Sequence, residues 1–139
     1  MPYQTIEELT EAQCLGLIAP SGVGRIAYES RFGLAVLPVN YRLDDGVVLF
    51  RTAEHGPLDE DLRTGIAGGA YKVAFEIDDI DAAARRGWSV LIQGPARHLT
   101  AAERDALDPV DLETWAPGAR ELFVKIVPTR ITGRRIGPA

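Results

Sequence analysis

The sequence predicts a mainly β protein, an antiparallel β-barrel with a few short helices. Three observations lead there. Apolar and polar residues alternate over short stretches bounded by Gly, Pro, Asn or Asp, the mark of half-buried strands. Tight turns separate most of these stretches, so neighbouring strands pair antiparallel. About seven strands with little helix to cover them close most economically into a barrel, which removes exposed edges.

The elements follow in order. Thr10 caps a first helix, and Gln13 completes a capping box. Leu9 and Cys14 form a hydrophobic staple, and Cys14, Leu17 and Ile18 share one face. Cys14 therefore reads as a small core hydrophobe, not a nucleophile. Pro20-Ser21-Gly22 ends the helix. Val23–Glu29 is the first strand and Leu34–Tyr41 the second, with Pro38 pointing to an edge or a bulge. Asp44-Asp45-Gly46 is a hairpin turn before a third strand, Val47–Thr52. Pro57 to Arg63 reads as a short helix with Pro57 at its first position. Tyr71–Ile77 alternates, with Tyr71, Val73, Phe75 and Ile77 on one face. Gly87–Leu99 is a long strand bent at Gly94-Pro95. A second capping box, Thr100 with Glu103, opens a helix to about Leu107. Leu122–Val127 and Thr129–Ile136 complete the sheet.

Composition bounds the function. The chain of 139 residues reads as a single domain over residues 1–139, with 46% hydrophobic and 25% charged residues. One cysteine excludes an internal disulfide, and His55 and His98 with Cys14 give no metal-ligand spacing. No apolar run is long enough for a membrane helix, and no leader is visible, so the expected compartment is the cytoplasm. The net charge of −5 argues against nucleic acid as a partner. The charge is uneven: residues 54–83 carry eight acids against Arg63 and Lys72, whereas residues 120–139 carry five bases against Glu121. Two solvated surfaces of opposite sign account for this. Only Lys72 and Lys125 among the 15 basic residues are lysines. Ser21, Ser30 and Ser89 sit in no nucleophile elbow, and no dinucleotide fingerprint follows a strand. The catalytic residues are unassigned.

Arg51-Thr52 at a strand end is the best candidate for chemistry. A guanidinium fork with a neighbouring hydroxyl suits a phosphate, and a helix N-terminus following it favours an anion. The plainer alternative pairs Arg51 with Glu54 or Asp45. Trp88 shares a strand face with Val90 and Ile92 and reads as a core, interface or ligand-stacking aromatic. Tyr41 is equally open. His55 reads as an exposed loop residue, His98 as a strand end, and Arg134-Arg135 as a solvated last strand.

Seven segments, in this order and spacing, carry a resemblance: Leu9–Cys14, Gly22–Ala27, Leu37–Tyr41, Leu49–Thr52, Val73–Asp79, Gly87–Leu91 and Ile131–Arg135. Together they resemble the pyridoxamine 5'-phosphate oxidase-like proteins, the flavin-binding split β-barrels, in their small actinobacterial form. The resemblance implies an FMN-dependent oxidoreductase, a homodimer with FMN between its subunits, and hydride transfer to or from a small-molecule substrate. It implies that Val39, Asn40 and Tyr41 line the flavin ring. Phe50, Arg51 and Thr52 would meet the ribityl phosphate, and Trp88 and Ser89 would approach from the partner chain. One departure stands out. The family carries a Lys shortly after the Arg-Thr pair, where this chain has Leu58 followed by Asp59-Glu60-Asp61. Two alternatives follow from it: a flavin-free split-barrel dimer acting as a binding module, or use of a deazaflavin coenzyme with Arg134 and Arg135 holding its acidic tail. A Lys at Leu58 is then expected to raise FMN affinity.

Overall fold

The computed structural model describes residues 4–19, 21–52, 58, 71–106 and 122–138. These form β1 (Gln4–Leu9), α1 (Glu11–Ile18), β2 (Ser21–Ser30), β3 (Gly33–Asp44), β4 (Val47–Thr52), β5 (Tyr71–Asp81), β6 (Arg86–His98), α2 (Ala101–Asp105), β7 (Leu122–Ile126) and β8 (Arg130–Pro138). The expected helix from Pro57 to Arg63, His55 and the acids Asp59, Glu60 and Asp61 lie outside the described residues; of that stretch only Leu58 is described, and it is buried.

All strands join one antiparallel sheet in the order β1-β8-β6-β5-β2-β3-β4-β7. β7 also pairs with β6, through Ala96↔Ile126, Arg97↔Lys125 and His98↔Val124, so the strands from β6 round to β7 close a barrel. β8 and β1 stay outside that ring, with β8 on the first half of β6, residues 87–93. One edge of β6 thus serves two neighbours. The change falls at Gly94-Pro95, where Val127 N–H donates to the Pro95 carbonyl at 3.1 Å and Thr129 N–H to Gln93 at 2.8 Å. Residues 127–129 face only 94–95 there, so the extra residue of the bulge is carried by the facing chain, not by β6. Gly94 is required: a Cβ at that position would stand 2.1 Å from the Val127 carbonyl oxygen.

The barrel interior follows from the alternation. Ile26, Phe50, Phe75, Ile92, Val124 and Ile126 have no exposed surface. Phe75 stacks on Phe50 with ring centroids 6.4 Å apart and meets Tyr41 edge-on at 5.6 Å. Each such side chain contributes about 1.5–3 kcal/mol by leaving water. The β3–β4 hairpin has its expected two-residue turn. Asp45 (φ 48°) and Gly46 (φ 79°) both take left-handed backbone, which matches the strand twist.

Helix α1 caps the barrel as its residues predict. Gln13 N–H donates to Thr10 Oγ1 at 3.2 Å and Thr10 N–H to Gln13 Oε1 at 2.8 Å. Leu9, Cys14 and Ile18 are buried, with Leu9 and Cys14 against Gly133 of β8. Burial pushes the Cys14 thiol pKa up, which suits a packing role. The Tyr41 hydroxyl donates to the Ile18 carbonyl at 2.5 Å and fixes the end of α1. The second capping box is present too, and α2 ends at Asp105. β1 is not foreshadowed by an apolar pattern. It pairs with β8 through Glu7↔Arg135 and Glu8↔Arg134, so its partners are charges far away in the chain. Among the described residues no helix is long and apolar enough to cross a membrane, and no group of three His, Cys, Asp or Glu residues is placed to hold a metal.

Candidate functional site

β4 runs beside β3 only from Asp44↔Val47 to Tyr41↔Phe50. Beyond that pair the two strands part. β4 continues along β7 through Arg51↔Phe123 and Thr52↔Leu122. β3 continues along β2 from Asn40↔Val23 to Gly33↔Ser30. Among the described residues, no strand pairs with the β4 side of β3 over residues 33–40. The result is a cleft with Val39 and Asn40 on one lip and Arg51 and Thr52 on the other. Pro38 stands on this half-paired stretch, as a residue without an N–H can.

The sequence-predicted site residues divide into three groups. Val39 and Asn40 on β3 and Arg51 and Thr52 on β4 stand just past the point where the two strands part; Val39, Asn40 and Arg51 are half-buried and Thr52 is buried. Tyr41, Phe50 and Leu58 belong to the core, with exposures of 2%, 0% and 7%. The side chains of Tyr41 and Phe50 therefore pack inward, and burial pushes the Tyr41 phenol pKa up. Leu58 is buried, so a Lys at that position would replace a core side chain. Trp88 and Ser89 are on β6, with β5 and β2 between them and β3. Within the chain they do not meet the cleft. Trp88 lines a groove of about 580 Å³ with Glu7, Asp79, Arg86 and Arg135. Ser89 lies between Asp78 and Arg134 in the sheet register. Arg134 and Arg135 face β1, where Arg135 Nη1 is 3.8 Å from Glu7 Oε2.

Two ionic clusters were not legible in the sequence. Beside the cleft, on the outer face of β6 and β7, Glu103 accepts from Arg97 at 2.6 and 2.9 Å, from Lys125 Nζ at 2.5 Å and from Thr100 N–H at 3.0 Å. Those bonds hold the Glu103 carboxyl far below the usual carboxylate range. Next to it Phe123 carries the Arg51 guanidinium 5.3 Å from its ring centroid and that of Arg104 at 5.8 Å. The second cluster sits across β2 and β5. Arg25 Nη1 reaches Glu76 Oε1 at 3.2 Å and Asp78 Oδ2 at 3.4 Å. Desolvation, with Asp78 beside it, pushes the Glu76 pKa up to about 7 against the pull of Arg25. The capping box located Glu103, but its partners lie on strands that only the fold brings near.

An outer-face groove of about 850 Å³ crosses β3, β2, β5 and β6, with the small residues Ala27 and Ala74 along its floor. Along its β3 side Leu34 is 85% and Val36 61% exposed, and Phe32 at the hairpin tip is 93% exposed. This is the largest concentration of exposed apolar side chains among the described residues.

The fold has known counterparts. An uncharacterized protein of Mycobacterium tuberculosis is 32% identical over 131 residues, covering 94% of this chain and 86% of that one. A FAD-binding protein from Mycobacterium smegmatis is 28% identical with a TM-score of 0.68, over 94% of this chain and 98% of the other. A FAD-binding protein from Mesorhizobium loti shares the fold at 22% identity and a TM-score of 0.72, over 94% and 97% of the two chains. The family model for pyridoxamine 5'-phosphate oxidase matches residues 10–135, which takes in the barrel, both lips of the cleft and most of β8. The chain belongs to the pyridoxamine 5'-phosphate oxidase family.

Proposed function

We propose that this protein is a homodimeric flavin-dependent oxidoreductase. It binds a flavin nucleotide, FMN in its minimal form, in the cleft between β3 and the end of β4. The observation that carries the reading is the parting of the strands: the half-paired stretch of β3 and the strand-end pair Arg51-Thr52 begin at the same point, just past Tyr41↔Phe50, in a chain that the family model covers almost throughout. A strand edge offers alternating N–H and C=O groups, and the polar edge of a flavin ring can pair with them as another strand would. Arg51 supplies a fork for phosphate and Thr52 a hydroxyl. The FAD-binding relative from Mycobacterium smegmatis supports a flavin as the ligand class.

A bound flavin supplies the hydride-accepting ring, so the protein's part is binding, orientation and electrostatics. Trp88 and Ser89 reach the ring from a second copy of the chain. The exposed Phe32, Leu34 and Val36 beside the groove are the surface on which that copy packs.

The first test is the purified protein's flavin absorbance, with the released cofactor identified by mass as FMN or FAD. Bound flavin is the expected result. A colourless protein that takes up neither FMN nor FAD in titration overturns the reading. Sedimentation tests the dimer. Leu34→Glu with Val36→Glu is expected to give monomers, weakening association by at least about 30-fold, the loss of one strong interface contact. Flavin is lost with it. Wild-type protein that sediments as a monomer overturns the dimer.

A further inference from the structure

The cluster of Arg25, Glu76 and Asp78 lies inside an apolar surface. Directly opposed residues of neighbouring strands share a face of the sheet, so the register orders the outer face into rows. Ala27 and Ala74, the floor of the large groove, form one row with Val36. The next row holds Arg25, Glu76 and Leu91, and the one after it Asp78 and Ser89. Beyond them stand Ile80, Ile136 and Ile6, with Gly87 between the first two. Ile6 and Ile80 are 64% exposed. The cluster thus separates two exposed apolar patches, Leu34 with Val36 on one side and the three isoleucines on the other.

A second copy that covers both patches also covers the cluster between them. The cluster's own charges do not balance, because one guanidinium serves two carboxylates, at 3.2 and 3.4 Å. From β6 only the uncharged Ser89, Leu91 and Gln93 face Glu76. The next charges on this face stand farther off: Lys72 along β5, Glu29 along β2, and Arg134 and Arg130 on β8 opposite Ser89 and Gln93. With both acids ionised, each copy brings one net negative charge into the contact, and taking it out of water opposes association. One proton removes that charge. A carboxylic acid at one position shares a hydrogen bond with the carboxylate at the other, and Arg25 matches the charge that is left. The Glu76 pKa, pushed up to about 7, puts this proton in the neutral range.

We propose that the Arg25, Glu76 and Asp78 cluster is a proton-controlled latch in the dimer surface. One proton per cluster lets two copies close over the outer face, and its loss opens them. This rests on the dimer reading above.

The test measures the dimer dissociation constant of the full chain by sedimentation at about pH 6 and about pH 8.5, either side of the Glu76 value. The wild type is expected to associate at least about tenfold more weakly at the higher pH, the effect of one pKa unit gained on dimerisation. Glu76→Gln and Asp78→Asn each leave a single carboxylate on Arg25. Both are expected to abolish the difference and to hold the dimer near the wild type's affinity at the lower pH. Both side chains are partly exposed, so the folded variants serve for the comparison. A wild-type dimer that holds equally at both pH values overturns the latch, as does a pH difference that persists in either variant. A wild type that is monomeric at both pH values overturns the dimer reading, and the latch with it. The wild-type measurement therefore tells the two failures apart.

Discussion

The two ionic clusters have opposite stoichiometries. Arg97, Glu103 and Lys125 on the closed part of the barrel place one carboxylate between two cations. Arg25, Glu76 and Asp78 on β2 and β5 place one cation between two carboxylates. Both are partly exposed groups on the outside of the sheet, the first with its acid on α2 and the second wholly on strands, and their acids move in opposite directions. Glu103 is held far below the usual range, and Glu76 is pushed up to about 7. The causes differ: hydrogen bonds from Arg97 and Lys125 lower Glu103, whereas desolvation first and Asp78 second raise Glu76 against Arg25. The surroundings differ too. The cation-rich cluster lies near Phe123, over which Arg51 and Arg104 sit. The acid-rich one lies on the outer face that carries the apolar groove.

The strongest way to break the comparison is to disturb the point where β6 changes neighbours. Gly94→Ala would push a methyl group to 2.1 Å from the Val127 carbonyl oxygen. We expect a loss of about 3 kcal/mol or more in denaturant unfolding, since rigid backbone must move. A loss below about 1 kcal/mol would show that the bulge adapts.

The next effect is Glu103→Gln. Glutamine keeps the capping box, because it can still accept from Thr100 N–H, but it removes the charge between Arg97 and Lys125. A carboxyl held below its unfolded value stabilises the fold above that value, about 4.5, and the benefit fades as pH falls through the acid range. The variant should therefore unfold at a lower temperature than wild type at pH 7, with the gap closing in acid. A gap independent of pH would mean that packing, not charge, holds this cluster.

Glu76→Gln sharpens the contrast with the smallest effect and the opposite slope. A carboxyl raised from 4.5 to about 7 binds more protons folded than unfolded in that window, so its contribution to stability falls as pH rises across it. Glutamine removes this slope. With the group a third exposed, screening limits the gain above pH 7 to about 1 kcal/mol, and little difference should remain near pH 4.5. A variant less stable than wild type at pH 8 would show that the bond to Arg25 outweighs the acid pair.

Local signals located most of the fold. Two capping boxes, the Asp45-Gly46 turn and the alternation of Tyr71–Ile77 each appear where their residues put them, whereas the bulge expected at Gly94-Pro95 falls on the facing residues 127–129. β1 did not announce itself, because Glu7 and Glu8 give it no apolar pattern and its match is Arg134-Arg135 at the other end of the chain. In the candidate site Arg51-Thr52 carries a local chemical signature, whereas the inward packing of Phe50, Tyr41 and Leu58 is visible only in the fold. Which side of a strand meets the core is set by its register with neighbours, and a single residue of register reverses it.

The sequence by itself determined the class of fold, the turns, the caps and the family, because each depends on residues close in the chain or on their order. Only the tertiary structure decided where the sheet parts, which cations share Phe123 and which acids share Arg25. Those depend on strand neighbours that are distant in sequence, and electrostatic environment is a property of the neighbours, not of the residue alone.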